Sequence, residues 1–131
     1  MVFRINHIHI KALDPRKTAE WWEKAFAFKI ESDETRVFGD RFVRCRTEDG
    51  GMVVSISNAR TNETLGPGNA TAHLGLEHFA IETEDIEADI ARLVKLGAHL
   101  QEGPLTAPNG VRFAFLGLPD DVRLELLELP K

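Results

Sequence analysis

The chain of 131 residues has one cysteine, Cys45, no excess of basic residues and no long apolar run at its start. A lone thiol cannot build an internal disulfide framework, which fits a reducing compartment. Sixteen Lys and Arg against 21 Asp and Glu leave a net charge of −5. A nucleic-acid backbone would therefore meet repulsion instead of the basic stripe it requires. With no apolar leader, neither secretion nor membrane insertion is expected, and the cytoplasm is the expected location. The composition, 43% hydrophobic and 28% charged, is that of an ordinary folded protein and lies away from the disordered class. At this length a single domain with a sizeable core is expected.

What the chain does have is an internal repeat. When the segment from His7 is laid over the segment from His78, a shift of 78 − 7 = 71, INHIHIKALD ending in Asp14 falls on LEHFAIETED ending in Asp85. Both stretches alternate with the two-residue period of a half-buried strand. After Asp14, Pro15 suits a first helical position, and Ala19, Trp22, Ala25 and Phe26 recur on one face of a helix. After Asp85, Ile86, Ile90, Leu93 and Val94 trace a similar stripe that stops near Gly97. Strand material follows each helix: about Phe28 to Glu31, Val37 to Thr47 in one or two pieces, and Met52 to Ser57 in the first half, then about Ala98 to Glu102, Val111 to Leu116 and Val122 to Leu129 in the second. Turns are expected at Glu48-Asp49-Gly50-Gly51, Pro108-Asn109-Gly110 and Pro119-Asp120-Asp121. Asn58 to Ala72, rich in Asn, Thr, Gly and Pro, reads as a linker. The expected organisation is one α+β domain over 1–131. It consists of two βαβββ modules, 1–57 and 73–131, joined by 58–72, forming a curved mixed sheet with helices on its outer face.

The pleat assigns faces. His7, His9 and Lys11 point one way and Ile8 and Ile10 the other; His78, Ala80 and Glu82 oppose Phe79 and Ile81; Arg123, Glu125 and Leu127 oppose Val122, Leu124 and Leu126. The apolar sets pack on helices, which leaves the polar sets on a concave side able to hold a ligand. His7, His78 and Glu125 converging there would suit a divalent cation: zinc, nickel, manganese or iron. A lone strand histidine is more often structural than a ligand, but His7 and His78 occupy matching places in a repeat, which random placement rarely produces. Arg44 and Arg46 share a face and could clamp an anionic group, or could be solvated sheet arginines. His9 lies beside His7 as a candidate acid or base. Cys45, on the face opposite the arginines, reads as a small buried hydrophobe. One of Trp21 and Trp22 is expected in the core.

A His in a first strand, an Asp-capped helix with an aromatic pair, three more strands, then the same plan ending in a strand-borne Glu together resemble the vicinal oxygen chelate superfamily. Its members include glyoxalases, fosfomycin-resistance transferases, extradiol dioxygenases and metal-free bleomycin-binding proteins. The resemblance covers nearly the whole chain. It implies metal ligands at His7, His78 and Glu125. It also implies a fourth ligand position that falls on Ser55, since 125 − 70 = 55, where glyoxalase-like and epimerase-like members carry Glu or Gln. Serine is a poor ligand, so three protein ligands with open positions are expected. A second departure is Ala27, where the family often has Gly. The implied function is a metal-dependent lyase, isomerase or group transferase acting on a small oxygenated, anionic substrate. An iron(II) extradiol-type dioxygenase and a non-catalytic drug-sequestering protein are the alternatives. The implied assembly is a homodimer, with modules paired within a chain or swapped between chains.

Overall fold

The computed structural model describes residues 1–131, which divide into two compact units, Met1–Gly66 and Pro67–Lys131. In the first unit, β1 (His7–Lys11) leads into α1 (Pro15–Phe26), followed by β2 (Lys29–Thr35), β3 (Arg41–Arg46) and β4 (Val53–Ser57). The strands form one sheet in the order β1-β4-β3-β2. The β1–β4 pair is parallel and the other two pairs are antiparallel. The second unit repeats the plan with β5 (Phe79–Glu82), α2 (Ile86–Lys95), β6 (His99–Thr106), β7 (Arg112–Leu118) and β8 (Val122–Glu128), in the order β5-β8-β7-β6. The expected βαβββ repeat is present, and each module carries its own four-stranded mixed sheet. No helix is long and apolar enough to cross a membrane.

Capping explains where the helices start. The Asp14 carboxylate accepts from the Lys17 amide and the Asp85 carboxylate from the Ala88 amide, at 3.2 and 3.0 Å. Each satisfies a donor that the first helical turn leaves orphaned. One face of α1 buries Thr18, Ala19, Trp22 and Ala25, and it packs on β2, β3 and β4. Trp22 is fully buried and stacks on Phe28 with ring centroids 5.2 Å apart. In this unit the core is the sheet face carrying Ile10, Val43, Cys45, Val54 and Ile56, all at 5% exposure or less. α2 buries Ile86, Ile90 and Leu93 and packs on β6, β7 and β8, where Ala114, Leu116, Leu124 and Leu126 are buried. Val94, expected on the same stripe, is 46% exposed. At 100° per residue it follows Leu93 round the helix, away from the sheet.

The strand limits differ from expectation in two places. β2 runs on to Thr35, so only Arg41–Arg46 of the anticipated Val37–Thr47 stretch is strand. The intervening turn is closed by the Arg36 amide donating to the Asp40 carbonyl and by Gly39 at φ +89°, where a Cβ would collide with Thr61 Oγ1. Only glycine satisfies both conditions. β6 extends to Thr106 because its pairing with β7 resumes after register shifts on either side of Glu102, the signature of bulged strands.

Candidate metal centre

In the second unit, Ala80 pairs with Glu125 across the parallel β5–β8 ladder. His78 sits two residues before Ala80 and so shares its face. Its Nε2 lies 3.2 Å from Glu125 Oε2, so two of the three expected ligands meet. The other ring nitrogen, Nδ1, lies 2.9 Å from Glu77 Oε1. Arg123 Nε stands 2.9 Å from the same oxygen, with its guanidinium 4.3 Å above the Phe115 ring. The His78 ring meets Phe115 edge-on at 5.0 Å. The His78 hydrogen bond, reinforced by the charge of Arg123, holds the Glu77 carboxyl below the usual range.

The donor pair suits a divalent ion. With bonds of about 2.0–2.2 Å to each atom, a 3.2 Å separation corresponds to an angle at the ion of roughly 100°. That lies between octahedral and tetrahedral values. Neither unit by itself gathers three His, Cys, Asp or Glu side chains into one ligating group.

His7, the third expected ligand, belongs to the first unit. It is exposed and its Nδ1 lies 2.8 Å from Asn6 Oδ1. Its ring is 6.2 Å from that of His9. His9 pairs with Ser55 in the parallel β1–β4 ladder as Ala80 pairs with Glu125, so Ser55 is the structural counterpart of Glu125. At 4% exposure it fills the place of a carboxylate with a short hydroxyl.

His9 Nε2 lies 2.7 Å from the Ser57 hydroxyl, and that hydroxyl oxygen accepts from Lys11 Nζ at 3.0 Å. Burial lowers the His9 pKa, and the charges of Lys11, His7 and Arg36 lower it further against the opposing pull of Asp40. The ring is thus kept neutral and able to accept a proton. Arg44 pairs with Ser55 across β3–β4, which puts it on the His9 face with Arg46. Both guanidinium groups reach Glu31, at 3.4 and 3.1 Å. The expected anion clamp is closed on an internal carboxylate. Cys45 is fully buried on the helix side, where burial pushes its thiol up to about 11.

Sequence reasoning missed Asn6, Glu31, Ser57 and Glu77. The first and last carried a signal, because 77 − 6 = 71 is the repeat shift itself. Glu31 and Ser57 carried none, since their contacts depend on cross-strand register.

Residues 4–126 match the Glyoxalase/Bleomycin resistance protein/Dioxygenase superfamily, and the chain belongs to it. Among solved structures it is similar to a glyoxalase family protein from Bacillus cereus, with 19% identity, 99% of this chain and 97% of that chain covered, and a TM-score of 0.86. A glyoxylase/bleomycin resistance protein/dioxygenase domain from Frankia sp. gives 16% identity, 100% and 95% coverage and a TM-score of 0.78. The fosfomycin resistance protein FosX from Listeria monocytogenes, complexed with Mn(II) and sulfate, gives 15% identity, 99% and 95% coverage and a TM-score of 0.72. No curated protein matches the chain.

Proposed function

We propose that the protein is a divalent-metal-dependent enzyme of the lyase, isomerase or group-transfer kind, acting on a small oxygenated, anionic substrate. His7, His78 and Glu125 are its metal ligands. The observation that carries the reading is the 3.2 Å approach of His78 Nε2 to Glu125 Oε2, joined to the repeat equivalence of His78 and His7. The likeness in fold to a protein that binds Mn(II) supports a divalent cation. The three ligands come from one chain or from two copies in a cytoplasmic homodimer.

Lewis acidity toward two neighbouring substrate oxygens is the chemistry such a cation supplies when bound. Around it, His9 takes up or returns a proton at Nε2, with the Ser57 hydroxyl holding the ring in place. Arg44 and Arg46 receive the anionic group of the substrate as it competes with Glu31. Three protein ligands with Ser55 at the fourth position leave room for both substrate oxygens.

Two imidazoles and one carboxylate are also the donor set of non-haem iron(II) oxygenases, and this favours the dioxygenase as the second reading. Metal analysis of anaerobically purified protein, followed by oxygen uptake with a catechol, separates the two. Zinc, nickel or manganese with no uptake supports the first reading; iron with uptake supports the second. Protein that contains no metal and takes up none when it is supplied would instead indicate a sequestering module.

A further inference from the structure

We propose that Asn6 and Glu77 are positioning residues that perform one task in both halves of the repeat: each holds Nδ1 of the histidine that follows it, so that Nε2 is the nitrogen presented to a metal ion. The inference rests on the metal reading of His7 and His78. Asn6 Oδ1 lies 2.8 Å from His7 Nδ1, and Glu77 Oε1 lies 2.9 Å from His78 Nδ1. Both side-chain oxygens accept, so each ring must place a proton on Nδ1. In the neutral imidazole that leaves the Nε2 lone pair free. The coincidence of two such contacts at the same repeat position is what separates a device from a chance contact between adjacent side chains.

The halves are not equal. Asn6 is neutral and exposed. Glu77 is charged and backed by Arg123, whose side chain is 11% exposed. A carboxylate on Nδ1–H raises the basicity of the imidazole more than an amide oxygen does, and outer-shell partners of this kind typically change metal affinity about 10–100-fold. The carboxylate in the second half also fixes the ring that approaches Glu125, so it governs the pair already assembled there. The amide in the first half orients a ring in the module where Ser55 stands at the counterpart of Glu125.

The test is a Mn(II) and Zn(II) titration of the metal-free 131-residue chain, of Glu77→Ala and Glu77→Gln, and of Asn6→Ala and Asn6→Asp. The thermal midpoint of each metal-free variant serves as the folding control. Glu77→Ala is expected to bind about 10–100-fold more weakly and Glu77→Gln, which keeps an acceptor oxygen, to recover most of that loss. Asn6→Ala is expected to lose less and Asn6→Asp to restore it. Long-range 1H–15N spectra of the zinc-loaded protein should show Nδ1 protonated in both rings. If the parent protein binds metal but both alanine variants bind as tightly, or if Nδ1 is the metal-bound nitrogen, the positioning role is overturned. If the parent protein binds no cation, the metal reading falls and this assignment with it. The midpoint shows whether Glu77→Ala is folded, and Asn6→Ala, at an exposed site, keeps the test decisive should the former fail to fold.

Discussion

His78 Nε2 stands 3.2 Å from Glu125 Oε2, an approach made by the residue that precedes β5 toward the middle of β8, its parallel neighbour in the ladder. Replacing Glu125 by Gln keeps the volume and removes the charge. If the pair ligates a cation, this variant should lose metal affinity by about 100-fold or more, since even outer-shell losses reach that size. Elemental analysis after gel filtration checks it, and full metal retention would leave the contact a simple ion pair.

Glu31 lies against both Arg44 and Arg46 and is kept ionised, first by its hydrogen bond to Arg46 and then by the charges around it. Glu31→Gln should free the two guanidinium groups for external anions. Sulfate titration followed by calorimetry is expected to show binding several-fold tighter than in the parent, because a competing internal carboxylate is gone. Unchanged affinity would mark the arginines as ordinary sheet-surface residues.

Asp40 is fully buried and holds Arg36 with both carboxylate oxygens, at 3.1 and 2.6 Å. Arg36 lies 4.2 Å above the Phe42 ring. The Arg36 hydrogen bonds hold the Asp40 carboxyl below its ordinary 3.8. A depressed folded-state pKa gives stability that is present above the unfolded value and lost as pH falls through the folded one. Asp40→Asn should cost about 1–3 kcal/mol at neutral pH, measured by urea unfolding. The gap to the parent should shrink below pH 3.8.

The fold was legible because its signals are local and occur twice. Asp14 with Pro15, the alternation around His7 and His78, and the apolar stripes of both helices each specify an element from neighbouring residues alone. The placement of Glu125 near His78 was also legible, because strand parity fixed both faces once β5 and β8 were recognised. What escaped was set by register. Nothing in the chain announces that Glu31 meets Arg44 and Arg46, since a bulge between Ile30 and Ser32 decides which side chain faces them. The late start of β3 at Arg41 likewise goes with a turn in which Thr61, from a distant loop, crowds Gly39.

Cys45 has no exposure, and burial raises its thiol to about 11. Alkylation of the folded protein by iodoacetamide at pH 7–8 should therefore be negligible, while the unfolded chain reacts at once. A raised folded-state pKa gives stability that is present below the unfolded value and lost as pH rises through the folded one, so Cys45 should weaken the fold between pH 9.0 and about 11. Cys45→Ala should remove that part of the alkaline loss.

Ala27 caps α1 in the left-handed region at φ 56° and ψ 31°, with its amide donating to the Glu23 carbonyl. A Cβ in this region costs about 1–2 kcal/mol, against the roughly 0.5–1 kcal/mol of extra chain entropy a glycine gives up. Ala27→Gly should accordingly stabilise the protein by about 0.5–1 kcal/mol. Chemical denaturation reads the change directly, and a loss of stability would show that the Ala27 methyl makes a compensating contact.

The proposed site has His7, His78 and Glu125 as ligands of one divalent cation. Calorimetric titration of Mn(II) into the metal-free protein and into a folded His7→Ala variant puts that ligand set to the test. Saturation at about one ion per chain is expected, with a loss of about 100-fold or more in the variant. No binding by the parent protein, or equal binding by the two, would contradict it.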